Sequence, residues 1–251
     1  MNLRDLRDNW ERLGSDDPLW AILSRADRRG GRWDPQDFFA TGRAEVAEIL
    51  TWLDAAGITP QRGTALDFGC GAGRLTNALA DHFAEVVGVD IAPAMVALAE
   101  RFNHHGPGCR FVVHDSPQLS CLLDDSIDFV LSLIVLQHIE PRYAEQYLRA
   151  MVRALRPGGV MVVQIPSHTA PTVKGALRRV LALPRVQPLL NAYRRVVERR
   201  AGAMEMYAIR RPRVEQLLRD SGAEVCDVRP CTSAGPTWRS FRYLVRKGSG
   251  G

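Results

Sequence analysis

From residue 64 onward, short apolar runs alternate with stretches in which apolar residues recur every three or four positions. Thr64–Phe68, Glu85–Asp90, Arg110–His114, Ile127–Leu133 and Val160–Ile165 are the runs. Their centres are apolar at consecutive positions, not at every second one, the pattern of strands buried on both faces. Between them, Arg74–His82, Pro93–Phe102 and Arg142–Leu155 predict helices. Pro93 sits at a helix start, and Pro157-Gly158-Gly159 breaks the last of the three. Upstream, Val46, Ile49, Leu50 and Leu53 predict a further helix, with Thr41 as its N-cap and Gly57 as its stop. Strands alternating with helices predict a parallel sheet covered on both faces, which binds ligands outside the carboxyl ends of its strands. Arg213–Ser221 reads as a last helix. Ala223–Val228 and Trp238–Arg246 then read as two strands joined by a short connection, hence antiparallel.

The pattern divides the chain. Residues 1–42 are polar and irregular with isolated large aromatics (Trp10, Trp20, Trp33, Phe38, Phe39) and read as an arm that packs on the main domain or caps a ligand site. Residues 43–166 form the core. Residues 167–212 lack a strand pattern and carry helical stretches at Val173–Leu183 and Val186–Arg200, so they read as a helical insertion serving as lid or interface. Residues 213–247 complete the core, and 248–251 are a flexible tail.

Composition changes the picture in one place. The 251 residues carry a net charge of +5. Between Lys174 and Arg213, one lysine and ten arginines face only Glu198 and Glu205, a net +9, which leaves −4 for the remainder. A basic helical stretch of this kind meets an anionic substrate or membrane surface, or nucleic acid, or is simply a solvated face. Only Tyr193 and Tyr207 interleave with the arginines, which disfavours base stacking. Five scattered cysteines without a C-x-x-C pair suggest neither a disulfide framework nor zinc, and no metal-ligand spacing is diagnostic. No apolar run is long enough to span a bilayer and no signal core opens the chain, so a cytoplasmic protein is expected.

The candidate chemistry centres on Ala65–Thr76. The first strand ends at Asp67, and Gly69, Gly71 and Gly73 follow before a helix begins, a turn that lets a ligand approach the backbone. Arg74 stands where a dinucleotide fingerprint wants a small residue. Asp90, closing the second strand, is placed to accept both hydroxyls of a ribose. Asp115, after the third, can accept from an adenine amino group, with Ile91 and Met95 sandwiching the base. Cys70 reads as a small buried filler rather than a nucleophile. Arg43, in the first turn of the helix capped by Thr41, offers a guanidinium to a carboxylate.

Ala65–Thr76, Val87–Asp90, Val113–Asp115, Asp128–His138 and Leu155–Gly159 together resemble, in order and spacing, the successive motifs of class I S-adenosylmethionine-dependent methyltransferases. The resemblance covers Thr64–Ile165. It implies an α/β, Rossmann-like, seven-stranded and mostly parallel sheet with an antiparallel last strand and helices on both faces. S-adenosyl-L-methionine is the implied cofactor. Asp67 would support the loop, Gly69, Cys70, Gly71 and Gly73 would lie against its methionine part, Asp90 would hold the ribose, and Asp115 with Ser116 would face the adenine. Leu131 of the fourth strand is counted among the cofactor contacts.

Methyl transfer is an in-line displacement, and a hydroxyl acceptor needs a base. His138, after strand four, and His168, after strand five, are the candidate bases, each also readable as a structural histidine. Glu205, Tyr207 and Trp238 are further candidates for the pocket. The amine-methylating motif after strand four is replaced by Ser132-Leu133-Ile134-Val135. The expected activity is therefore methylation of a small-molecule acceptor, with a hydroxyl of a sugar, glycolipid or secondary metabolite favoured. A nucleic-acid-modifying methyltransferase and a non-catalytic cofactor-binding or membrane-surface protein are the alternatives. Self-association as a homodimer is left open.

Overall fold

The computed structural model describes residues 2–171 and 204–248. Five strands, β1 (Thr64–Phe68), β2 (Glu85–Asp90), β3 (Cys109–Val113), β4 (Ile127–Ser132) and β5 (Leu155–Thr169), run parallel. The last strand, β7 (Trp238–Lys247), lies antiparallel between β5 and β6 (Ala223–Cys231). The sheet order is β3-β2-β1-β4-β5-β7-β6. This is the expected Rossmann-like α/β fold.

Consecutive strand residues face opposite sides, and both sides are covered. Leu66, Val87, Val130 and Met161 pack against Leu148 and Met151 of α6 (Pro141–Ala154) and Leu217 of α7 (Arg211–Asp220). Ala65, Val86, Phe129 and Leu131 pack against α3 (Pro35–Ala55) and α4 (Arg74–Ala80) through Val46, Ile49, Leu53, Leu75 and Leu79. Two buried faces account for the uninterrupted apolar runs. They also correct one site assignment: Leu131 is fully buried in the second of these cores.

The chain steps from β1 through β2 to β3 on one side, then returns to place β4 on the other side of β1. Neighbouring connections diverge there, opening a crevice at the carboxyl ends of β1 and β4.

The N-terminal arm departs from the irregular reading. It contains α1 (Leu3–Asp16) and α2 (Pro18–Ile22). Asn2 caps α1 by accepting from the Asp5 amide at 2.9 Å. Helix α3 starts at Pro35, not after Thr41. Asp34 accepts from the amides of Gln36 and Asp37 at 2.8 and 3.1 Å, while Thr41 lies inside the helix with its hydroxyl donating to the Phe38 carbonyl. Strand β5 runs past Ile165 to Thr169, because β7 continues pairing with it as far as Thr169↔Trp238. The helices expected within 172–203, most of the basic stretch and the tail beyond 248 lie outside the described residues. Among the described residues no helix is long and apolar enough to cross a membrane.

Candidate active site

The glycine stretch turns sharply off β1. Gly69, Gly71 and Gly73 all have positive φ, at 78°, 52° and 81°. The loop folds back on β2: the amides of Gly69 and Cys70 both donate to the Val89 carbonyl, at 2.7 and 3.0 Å. The Gly71 amide donates to Asp90 Oδ2 at 2.9 Å and the Gly73 amide to the Cys70 carbonyl at 2.9 Å. These four N–H groups are committed within the protein, so the loop's offer to a ligand is a wall without side chains. A Cβ on Gly69 would lie 2.3 Å from Cγ2 of Val135.

A cavity opens over this loop. Its floor is Asp67, Gly69, Cys70, Gly71 and Asp90. Ile91, Met95 and His114 wall one side; Val135, His138 and Ile139 wall the other. The arm supplies the cover through Leu6 and Trp10 of α1 and Ile22 of α2. Two side-chain contacts hold α1 across the opening: Glu11 accepts from the Ala94 amide at 2.9 Å, and Arg7 pairs with Asp115 at 3.1 Å.

Three charged groups meet at the floor. Asp67 is buried and accepts from the Thr76 hydroxyl at 2.6 Å. Burial raises its pKa to about 6, partly opposed by that hydrogen bond and by Arg74. Asp90 spends one lone pair of Oδ2 on the Gly71 amide and one of Oδ1 on the Ala92 amide. Burial raises its pKa against the pull of these amides. A carboxylate has about four acceptor positions, so both oxygens keep capacity for a ligand. Arg74, buried at the start of α4, pairs with Glu45 at 2.8 Å. Burial also lifts the Cys70 thiol, which therefore stays protonated at neutral pH.

His138 lines the cavity in neutral form. Its Nδ1–H donates to the Glu205 carbonyl at 2.7 Å, and the Gln137 side-chain amide donates to Nε2 at 3.1 Å. Gln137 in turn accepts from Gln164 at 3.2 Å. Burial lowers the pKa of His138 to about 4. Trp10 packs edge-on against its ring, with centroids 5.3 Å apart. Glu205 and Tyr207 lie beside it: the Tyr207 amide donates to the Gln137 carbonyl at 2.7 Å, and its hydroxyl donates to the Glu205 carboxylate.

Asp67, Gly69, Cys70, Gly71, Asp90, Ile91, Met95 and His138 thus converge on one cavity. Nine expected residues do not line it, among them Glu205 and Tyr207, which touch His138 and Gln137 from behind the wall. Gly73 is the N-cap of α4. Arg43 is exposed in an outer groove with His104 and His105, because the earlier start of α3 moves it from the first turn into the third. Asp115 is held by Arg7, and the Ser116 hydroxyl donates to Gln118 at 2.6 Å. Leu131 is core. His168 is exposed on the extension of β5, opposite Arg239 and beside the Ser167 hydroxyl. Trp238, opposite Thr169 in the same extension, is also off the cavity wall. Among the described residues no group of three His, Cys, Asp or Glu is arranged to hold a metal.

The structure adds residues not anticipated from sequence. Leu6, Trp10 and Leu13 follow one another at helical spacing and could have marked the arm as an amphipathic cover. His114 had no such signal beyond its place at the end of β3. Its amide donates to the Asp90 carbonyl at 2.9 Å, and its buried Nε2 has no hydrogen-bond partner.

Residues 65–159 match a family model described as a methyltransferase domain. The chain is 34% identical over 143 residues to a trans-aconitate 2-methyltransferase of Variovorax paradoxus, covering 54% of this chain and 51% of that one. It is 33% identical over 150 residues to an uncharacterized methyltransferase of Mycobacterium ulcerans, covering 57% of each. The chain therefore spans about half the length of the curated relatives it matches. Among solved structures, the magnesium protoporphyrin IX methyltransferase of Synechocystis, crystallised with SAH, aligns with a TM-score of 0.63 at 20% identity, over 98% of this chain and 99% of that one. Phosphoethanolamine N-methyltransferase 2 of Haemonchus contortus aligns with a TM-score of 0.58 at 17% identity, over 80% and 52%. These structural likenesses concern the fold.

Proposed function

We propose that this chain, whose residues 65–159 match a methyltransferase-domain model, is a class I S-adenosylmethionine-dependent methyltransferase that binds its cofactor over Gly69–Gly71 and Asp90 and methylates a small-molecule acceptor at an already ionised oxygen. The observation that carries the cofactor assignment is the pairing of the tight Gly69–Gly71 turn on the cavity floor with a half-buried carboxylate, Asp90, whose two oxygens keep open acceptor positions. When bound, S-adenosylmethionine supplies a methyl group on a sulfonium centre. Asp90 accepts the ribose hydroxyls, Asp67 holds the loop through Thr76, and the arm excludes water. A cover that includes Leu6, Trp10 and Ile22 suits a small acceptor better than a polymer.

The acceptor class follows from proton accounting. A neutral hydroxyl or an ammonium must lose a proton before or during transfer. His138 is a poor recipient: its pKa is lowered to about 4 and Nε2 already accepts from Gln137. His168 is off the cavity. A carboxylate needs no base, so it replaces the hydroxyl favoured by sequence. The Variovorax paradoxus relative is a trans-aconitate 2-methyltransferase, and trans-aconitate is an acid of that class.

Labelled methyl transfer onto matched panels of carboxylic acids, alcohols and amines tests the reading. The expected product is an ester whose label is released as methanol by mild alkali. Alkali-stable label in an alcohol or amine, or label in tRNA or rRNA, would refute the carboxylate assignment.

A further inference from the structure

We infer that Gln164, in the middle of β5, is a positioning residue for methyl transfer: its side-chain amide fixes the cavity wall after β4, against which the acceptor stands. The inference rests on the acceptor reading above. Gln164 is fully buried in a strand whose neighbouring residues, Val160–Val163 and Ile165, are apolar. A methionine or leucine would fill that space without burying an amide, which is costly unless its polar atoms are paired. Here the oxygen and the nitrogen are both paired. Oε1 accepts from the Ile134 amide at 2.8 Å, and Nε2 donates to Gln137 Oε1 at 3.2 Å and to the Ser240 hydroxyl of β7 at 2.5 Å.

Two of these bonds hold the stretch that walls the cavity. Leu133, Ile134, Val135, His138 and Ile139 all line it. Ile134 sits at φ +65°, a left-handed conformation that a β-branched residue rarely adopts and that persists only where its surroundings hold it. The Gln164 oxygen is the partner of its amide. The same side chain reaches His138 through Gln137. The Ile134 amide can only donate, so the Gln164 oxygen faces it and the Gln164 nitrogen faces Gln137. Gln137 then donates to Nε2 of His138, and Nδ1–H donates to the Glu205 carbonyl, which can only accept. Backbone groups at both ends thereby lock two amides and one imidazole in a single orientation.

In-line displacement depends on the acceptor being held in place, and a misplacement of about 1 Å costs up to about a hundredfold in rate. The cofactor end is remote from Gln164. In the order β2-β1-β4-β5, Asp90 closes a strand three places from β5, about 14 Å away. Loss of Gln164 therefore slows transfer without releasing the cofactor.

Gln164→Met and Gln164→Glu separate positioning from packing, since both nearly conserve volume. Positioning needs the oxygen that meets the Ile134 amide, which glutamate keeps and methionine lacks. Packing alone favours methionine, because a carboxyl is costly inside an apolar strand. With labelled S-adenosylmethionine and the fastest acid of the carboxylic panel, kcat should fall about ten- to a hundredfold in Gln164→Met and less in Gln164→Glu. S-adenosylhomocysteine should bind both variants within about threefold of wild type by calorimetry. By NMR, the Ile134 amide should exchange with solvent deuterium about tenfold faster in Gln164→Met than in wild type. Thermal melting checks folding, and if Gln164→Glu does not fold, Gln164→Met decides alone. Three results overturn the inference: unchanged kcat in Gln164→Met, parallel losses of transfer and of S-adenosylhomocysteine affinity, or higher activity in Gln164→Met than in Gln164→Glu. A wild-type chain that methylates no acid on the panel overturns the acceptor reading and this role with it, whereas an active wild type beside a silent Gln164→Met overturns this role alone.

Discussion

Replacing Gly69 by alanine tests how the loop is built. The first cost is backbone: at φ +78° a β-carbon brings a penalty of about 1–2 kcal/mol. The second is contact. The new Cβ would lie 2.3 Å from Cγ2, 2.4 Å from Cγ1 and 2.9 Å from Cβ of Val135. All three atoms belong to one branched side chain, so rotating one methyl away brings the other closer. Overpacking of this kind costs about 1–3 kcal/mol. The sum is about 2–5 kcal/mol, or roughly 10 °C in melting temperature for a chain of this size. Urea unfolding at neutral pH measures it. Gly69→Ala combined with Val135→Ala removes the two methyl contacts and keeps the Cβ contact, so it should recover most of the contact part and leave the backbone part, giving a coupling of about 1–2 kcal/mol. A single variant within about 0.5 kcal/mol of wild type, or a double variant showing no coupling, would refute the packing described for the loop.

Two buried groups make opposite contributions to stability across acid pH. Asp67 binds its proton more tightly in the folded chain, at about 6 against an ordinary 3.8, so its contribution falls by about 3 kcal/mol as pH rises from about 4 to 6. His138 is lowered from 6.5 to about 4, so its contribution is complete above about 6.5 and falls by about 3 kcal/mol as pH drops to about 4. The two nearly cancel in the wild-type chain. Relative to wild type, Asp67→Asn should become progressively less stable as pH drops from 6 to 4, and His138→Asn progressively more stable; urea midpoints at successive pH values check both, and unchanged profiles would contradict the burial of these groups. Arg43→Ala should bind S-adenosylhomocysteine within about twofold of wild type, since Arg43 lies in the outer groove; a tenfold loss by calorimetry would return it to the site.

The sheet was legible because its strands are buried on both faces and carry apolar residues at consecutive positions. That same property hid which face each residue takes. Leu131 looked like a cofactor contact because it precedes the loop after β4, yet alternation turns it into the core beneath α3 and α4. Helix α3 was read as starting after Thr41, but Asp34 caps it seven residues earlier. The change of start carries Arg43 to the outer groove, off the cavity wall. The arm read as irregular because Leu3, Leu6, Trp10 and Leu13 are diluted by charged neighbours. The stripe becomes meaningful only once there is a cavity to cover. Asp115 pairs with Arg7 off the cavity wall, a contact no local reading supplies, since Arg7 stands 108 residues earlier in the chain. The glycine loop and Asp90, which the structure brings to one cavity, were readable together because their pattern is local, a turn with positive φ followed one strand later by an acid.

The most direct measurement of the central claim is calorimetric titration of S-adenosylhomocysteine into the wild-type chain and into Asp90→Ala, with Asp90→Asn as a variant closer in shape and thermal melting as a check on folding. Saturable binding at one ligand per chain is expected for wild type. Removing the carboxylate deprives two ribose hydroxyls of a charged acceptor, so a loss of about a hundredfold or more is expected in Asp90→Ala and a smaller one in Asp90→Asn. No binding to wild type, or undiminished affinity in a folded Asp90→Ala, would contradict the account.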